Sequence, residues 1–146
     1  MSPMRSLTVG GLFLSTLLLA ACTSSTDATT PPASGLTEIQ RVTTGPIDVI
    51  LLSKEEALPA GKSQSTMEFR TGSDHHLVDV GAVKASATMT MEGMSPMLGS
   101  IFVTRGDTPG RYVVDADLGM TGTWRLIVEW DGPAGKGSAS FPGTVR

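Results

Sequence analysis

The sequence predicts an all-β fold, an antiparallel sandwich of about seven short strands. Three observations carry that expectation. Apolar residues recur with period two, most clearly at Trp124, Leu126, Val128 and Trp130, with Arg125, Ile127 and Glu129 between them. Turn signals rich in glycine and proline separate the apolar runs at short, regular spacing. No helical pattern longer than a single turn is present.

The expected elements follow in chain order. Ile47 to Leu52 is a short apolar run. Gly61 opens a stretch whose end, Met67-Glu68-Phe69-Arg70, alternates apolar and charged residues. Val83, Ala85, Ala87, Met89 and Met91 alternate with Lys84, Ser86, Thr88 and Thr90, the mark of a half-buried strand. Ser100 to Thr104 follows a glycine, and Tyr112, Val114 and Ala116 alternate with Val113, Asp115 and Asp117. The Trp124 strand comes next, then a last run from Ser138 to Val145 that contains Phe141. Lys54 to Leu58 is expected to make one helical turn. The Trp124 strand is expected at the centre of the core, since burial of each of its large apolar side chains is worth about 1.5–3 kcal/mol.

The N-terminus predicts export. Arg5 precedes an apolar stretch from Leu7 to Ala21, and Leu17-Leu18-Leu19-Ala20-Ala21 leads into Cys22. A basic start, an apolar middle and small residues before a cut form an export signal. The stretch is short for a spanning helix, which wants roughly 20 mostly apolar residues. With cysteine as the first retained residue, the pattern resembles a bacterial lipobox, which implies lipidation of Cys22. The expected organisation is a lipoprotein signal peptide at 1–21, a lipidated cysteine with a disordered tether at 22–36, and a folded domain at 37–146. Residues 23 to 34 hold no large apolar side chain, so burial cannot offset their ordering entropy.

Composition excludes several function classes. Cys22 is the only cysteine, so the domain has no disulfide, thiol nucleophile or Cys-ligated zinc site of its own. The net charge is −3 with no basic cluster, which argues against a nucleic-acid partner. No Ser-His-Asp spacing, paired-acid site or phosphate loop appears, so no enzymatic activity is expected.

Methionine is the distinctive residue type. There are eight, and Met89, Met91, Met94 and Met97 lie within nine positions. A thioether is soft and uncharged, suits Cu(I), and keeps its lone pairs at pH values where imidazole protonates. Parity with Val83, Ala85 and Ala87 directs Met89 and Met91 toward the core, and packing is the favoured role for both, as for Met67. Met94 and Met97 flank Pro96 after Gly93 and are expected on a turn. Met120 precedes the Trp124 strand at a glycine-rich corner. For Met94, Met97 and Met120 packing and ligation both remain open. His75 and His76 are the only histidines and sit after Gly72-Ser73-Asp74 in an expected loop. The candidate metal set is therefore Met91, Met94, Met97 and Met120, with His76 as a further imidazole donor.

Several segments together resemble the YtkA-like domains, related to FixH. Met89-Thr90-Met91-Glu92-Gly93-Met94 is similar to that family's Met-x-Met-Pro-x-Met stretch. Pro109-Gly110-Arg111-Tyr112 is similar to its Pro-Gly-x-Tyr strand start. Leu118 to Leu126 is similar to its Met-x-Gly-x-Trp motif, and Gly81-Ala82-Val83 fits the strand before the methionines. The match runs from about Ile47 to Val145. The resemblance implies an immunoglobulin-like β-sandwich outside the cytoplasm, with relatives linked to copper supply for respiratory oxidases or to metal efflux. Two departures stand out: Glu92 replaces the usual proline, and Met97 stands where a histidine is common. The second weakens a Cu(II) site and leaves an all-thioether Cu(I) site intact.

The function expected from all this is an extracytoplasmic, membrane-anchored domain that binds or delivers a metal ion, with copper as Cu(I) favoured. The alternative is a non-catalytic structural or interaction domain whose methionines pack the core, with no cofactor. Its expected partners are the membrane, through lipid on Cys22, and an envelope protein of oxidase assembly or metal efflux. The cell envelope is the expected location, and the outer membrane is favoured if one is present, because Thr23 is not a retention aspartate.

Overall fold

The computed structural model describes residues 35–146, so the leader, Cys22 and most of the tether lie outside the described residues. Eight strands and no helix make up the described part: β1 (Thr37–Thr44), β2 (Ile47–Ser53), β3 (Gly61–Thr71), β4 (Ala82–Met89), β5 (Met97–Arg105), β6 (Arg111–Leu118), β7 (Gly122–Gly132) and β8 (Gly135–Val145). The all-β antiparallel architecture expected from the alternation is present. Hydrogen bonding runs β1-β2-β3-β6-β5-β4-β7-β8, with every neighbour antiparallel. No helix among the described residues is long and apolar enough to cross a membrane.

Strand β5 joins the two halves of the sandwich. Its first three residues, Met97 to Gly99, pair with β4, and Ser100 to Arg105 pair with β6. Gly99 sits at the transfer. A Cβ built there would lie 2.4 Å from Leu118 Cδ2 and 3.1 Å from Trp124 Cζ3, so the close approach of the two layers at this corner requires glycine.

The core forms where the alternation predicts it. Trp124, Leu126, Val128 and Trp130 of β7 are all buried, and they meet Met67, Phe69, Tyr112, Val114 and Phe141. Phe69 contacts Tyr112 and Trp130 edge to face, at centroid separations of 5.3 Å and 5.4 Å. Such pairs add about 0.5–1.5 kcal/mol beyond area burial. Tyr112 donates its hydroxyl to the carbonyl of Gly81 at 2.8 Å, tying β6 to the segment before β4.

Three sequence expectations are corrected. Residues before Ile47 form a full strand, β1, which makes eight strands where about seven were expected. Its polar sequence, Thr-Glu-Ile-Gln-Arg-Val-Thr-Thr, hides the alternation because only Ile39 and Val42 pack on the core. Lys54 to Leu58 makes no helix; it runs as bends, and Leu58 bridges to Val145. The strand carrying Val83 ends at Met89 and not at Met91, because Thr90 leaves the ladder as the chain turns.

A buried ionic cluster was not expected from the sequence. Glu68 is 1% exposed, accepts hydrogen bonds from Arg70 Nε at 2.8 Å and Arg111 Nε at 2.6 Å, and so joins β3 to β6. Nearby, Asp48 accepts from Arg41 at 3.1 Å and from the Thr43 hydroxyl at 2.7 Å. Alternation alone assigns Glu68 and Arg70 to a solvated face. Their opposite charges at i and i+2 lie on one strand face, which is what makes mutual neutralisation there geometrically available.

Candidate metal centre

The ladder registers place the methionines. Thr37 opposes Ser53, Gly61 opposes Leu118, Met89 opposes Met97, and Gly122 opposes Val145. These pairs all mark one end of the sandwich. The β4–β5 connection, with Met91 and Met94, and the β6–β7 connection, with Met120, close that same end.

Within this end each residue has a structural reason for its position. Met89 and Met97 are the last pair of the β4–β5 ladder, so their Cβ atoms stand about 4.5–5.5 Å apart. Both are half-buried and pack on the core. Met97 is therefore the first residue of β5 and not part of the turn, a correction to its expected position. The Met94 amide donates to the Met91 carbonyl at 3.3 Å, closing a four-residue turn with Glu92 and Gly93 at its centre. Gly93 has φ +75°, which a type II turn demands at its third position. Closure of that turn brings the Met91 and Met94 Cα atoms within about 7 Å.

Met120 arrives from the other side. The β5–β6 ladder ends at Ser100 opposite Asp117, β6 ends at Leu118, and Met120 follows on the β6–β7 connection, at the same end as the start of β5. Trp124 Nε1 donates to the Met120 carbonyl at 3.0 Å, so the buried indole fixes the backbone that carries this side chain. Gly122 completes the floor: a Cβ there would lie 2.4 Å from Met89 Cε, and its φ is +135°. Met89 thus reaches from the end of β4 to the start of β7.

Five methionines from two connections and two strand ends share this end of the molecule. They differ in exposure. Met94 is 62% and Met120 41% exposed, while Met89, Met91 and Met97 are half-buried. Alternation favours packing for Met89, and Met89 does pack on the core, paired with Met97 across the ladder. Glu92 is exposed at the turn.

His76 does not join this set. It follows the far end of β3, where Thr71 accepts and donates backbone hydrogen bonds with the His75–His76 segment. With about 3.3 Å of rise per residue along β3, it lies roughly 30 Å from the methionines. His75 has φ +57°, and its carbonyl accepts from Arg70 Nη1 at 2.7 Å.

The donor set fits a soft ion and not a hard one. Among the described residues no group of three or more His, Cys, Asp or Glu is placed to hold a metal. The methionines in contrast share one end of the sandwich, and thioether donors favour Cu(I) among the biological metals. A groove of about 620 Å³ on the outer face of β4, β7 and β8 is lined by Thr88, Thr90, Thr123, Arg125 and Ser140, which offer no soft donor.

The family model described as YtkA-like matches residues 43–129. A search of curated proteins finds no match. Among solved structures, the chain is similar to PcoC, a methionine-rich copper resistance protein from Escherichia coli. The identity is 22% and the TM-score 0.45, with 62% of this chain and 87% of that chain covered. It is also similar to a copper-bound variant of FetP from uropathogenic Escherichia coli, at 10% identity and TM-score 0.43, covering 72% of this chain and 93% of that one.

Proposed function

We propose that this chain, which belongs to the YtkA-like family, is an extracytoplasmic, lipid-anchored module that binds copper as Cu(I) and hands it on. One observation carries the reading: thioethers that alternation would scatter between core and turn are gathered at a single end of the sandwich. Met91 and Met97, half-buried, are the holding ligands. Met94 and Met120, exposed, are the exchangeable ones, because a carrier must present its cargo to an acceptor. Met89 supports Met97 from the facing strand. The lipobox-like run before Cys22 supports an anchor in the cell envelope, and the ion is cargo, with no catalytic step.

Competition titration tests this reading. The chain carrying Cys22→Ser, so that no thiol competes, is titrated with Cu(I) against a chromophoric chelator. The wild-type methionine set removes one equivalent of copper from the chelator. The variant Met94→Leu/Met97→Leu/Met120→Leu keeps its fold by circular dichroism and loses that capacity. Equal binding by the two proteins sinks the reading, as does the absence of competition by both.

A further inference from the structure

The exposed large apolar residues among the described ones are Met94, Leu98, Phe102 and Met120, and none lies at the His76 end. Met94 is on the β4–β5 turn and Met120 on the β6–β7 connection. Leu98, 77% exposed, is the second residue of β5, and Phe102, 71% exposed, follows on the same strand face. Soluble surfaces scatter such residues singly, and a concentration of them marks a site of contact.

The path of the chain says what that contact is. β1 begins at Thr37 opposite Ser53, so the polypeptide enters the domain at the methionine end. About 15 residues separate Thr37 from Cys22. A Ser/Thr-rich segment of that length has a coil dimension of about 20 Å, less than the roughly 36 Å length of the eleven-residue strand β3. A tether that short, attached at that end and anchored through lipid on Cys22 as proposed above, favours the turns bearing Met94 and Met120 lying next to the lipid. Gly45, Asp107 and Ala134 lie on the connections at the opposite end, which the same tether favours facing the aqueous side.

We propose that the methionine-bearing end is the membrane-facing surface of the domain, with Met94, Leu98 and Met120 seated in the headgroup layer of the bilayer that holds Cys22. This rests on the lipid anchor proposed above and is independent of whether copper binds. The acceptor for any cargo at this end is then reached within the membrane plane, which a diffusing soluble carrier would not share.

Depth-dependent quenching tests the orientation on the copper-free, lipidated full chain. Leu98→Cys and, separately, Asp107→Cys are labelled with a fluorophore; Met94→Cys serves as a second near-end position. Each protein is reconstituted in vesicles of phosphatidylethanolamine and phosphatidylglycerol that carry a headgroup nitroxide. The expected result is several-fold stronger quenching at positions 98 and 94 than at 107. Equal quenching at the two ends, stronger quenching at 107, or none at any position overturns the proposal. A photo-crosslinker at Leu98 that captures an envelope protein in cells, with no quenching by lipid, overturns it in favour of a protein partner. Failure of the chain to float with the vesicles removes the anchor on which the proposal stands. None of these outcomes depends on the copper titration, so the two readings fail separately.

Discussion

Met89 and Met97 face one another as the terminal pair of the β4–β5 ladder, and both side chains rest on the core. The pairing converts two positions eight residues apart into neighbours. It also fixes where the intervening turn carries Met94, and the β6–β7 connection carries Met120 at the same end of the sandwich. The gathering of these methionines at one end is therefore a product of strand register and topology.

Gly122→Ala is expected to destabilise the domain by roughly 1–3 kcal/mol, since its backbone lies in a region open essentially to glycine. Its Cβ would also displace Met89 Cε. Urea denaturation of Gly122→Ala, Met89→Ala and the double variant separates the two effects. The steric part disappears in the double variant and the backbone part remains, giving a coupling of the sign that a shared contact produces. Additive costs would show that Met89 does not pack against this strand start.

The sequence made the inward faces legible wherever one side of a strand is polar. Trp124, Leu126, Val128 and Trp130 advertise their burial because Arg125 and Glu129 stand between them. Strand β1 stayed hidden because its neighbours leave it largely exposed, so its residues carry little hydrophobic contrast. Strand β2 is buried along its whole length, Asp48 included, which alternation cannot express. Of the site, Met94 and Met120 were readable from the glycines beside them. The packing of Met89 on the core was readable from its parity with Ala87, but its pairing with Met97 was not, since register is a long-range property. The separation of His76 from the methionines depends on strand order, a long-range property that local pattern does not contain.

Glu68→Gln is expected to cost about 3–5 kcal/mol, the range for breaking a buried ion pair by removing one partner. The carboxylate is shared by Arg70 and Arg111 across the β3–β6 seam, and the substitution leaves two guanidinium groups facing a neutral amide. Chemical denaturation reads the loss directly. A change under about 0.5 kcal/mol, typical of a surface position, would show that the cluster is solvated in solution.

Tyr112 predicts an alkaline limit to stability. Burial pushes its hydroxyl pKa up, and the nearby carboxylate of Asp79 pushes it the same way, with Arg105 opposing. The unfolded chain then releases this proton near the ordinary tyrosine value of about 10, while the folded chain holds it. The folded state binds more protons above that pH, so the contribution of Tyr112 is complete below about pH 10 and is lost as pH rises toward the folded value. Urea midpoints between about pH 8 and 11 should fall more steeply for the wild type than for Tyr112→Phe. Parallel curves would contradict the burial of an ionisable hydroxyl at this position.

X-ray absorption at the copper edge tests the central claim most directly, on the Cu(I)-loaded chain carrying Cys22→Ser. The account predicts a coordination shell of sulfur alone, unchanged between about pH 5 and 8 because thioethers do not protonate there, and reduced by one sulfur in Met120→Leu. A shell containing nitrogen or oxygen donors, or a sulfur count that Met120→Leu leaves unaltered, would contradict it.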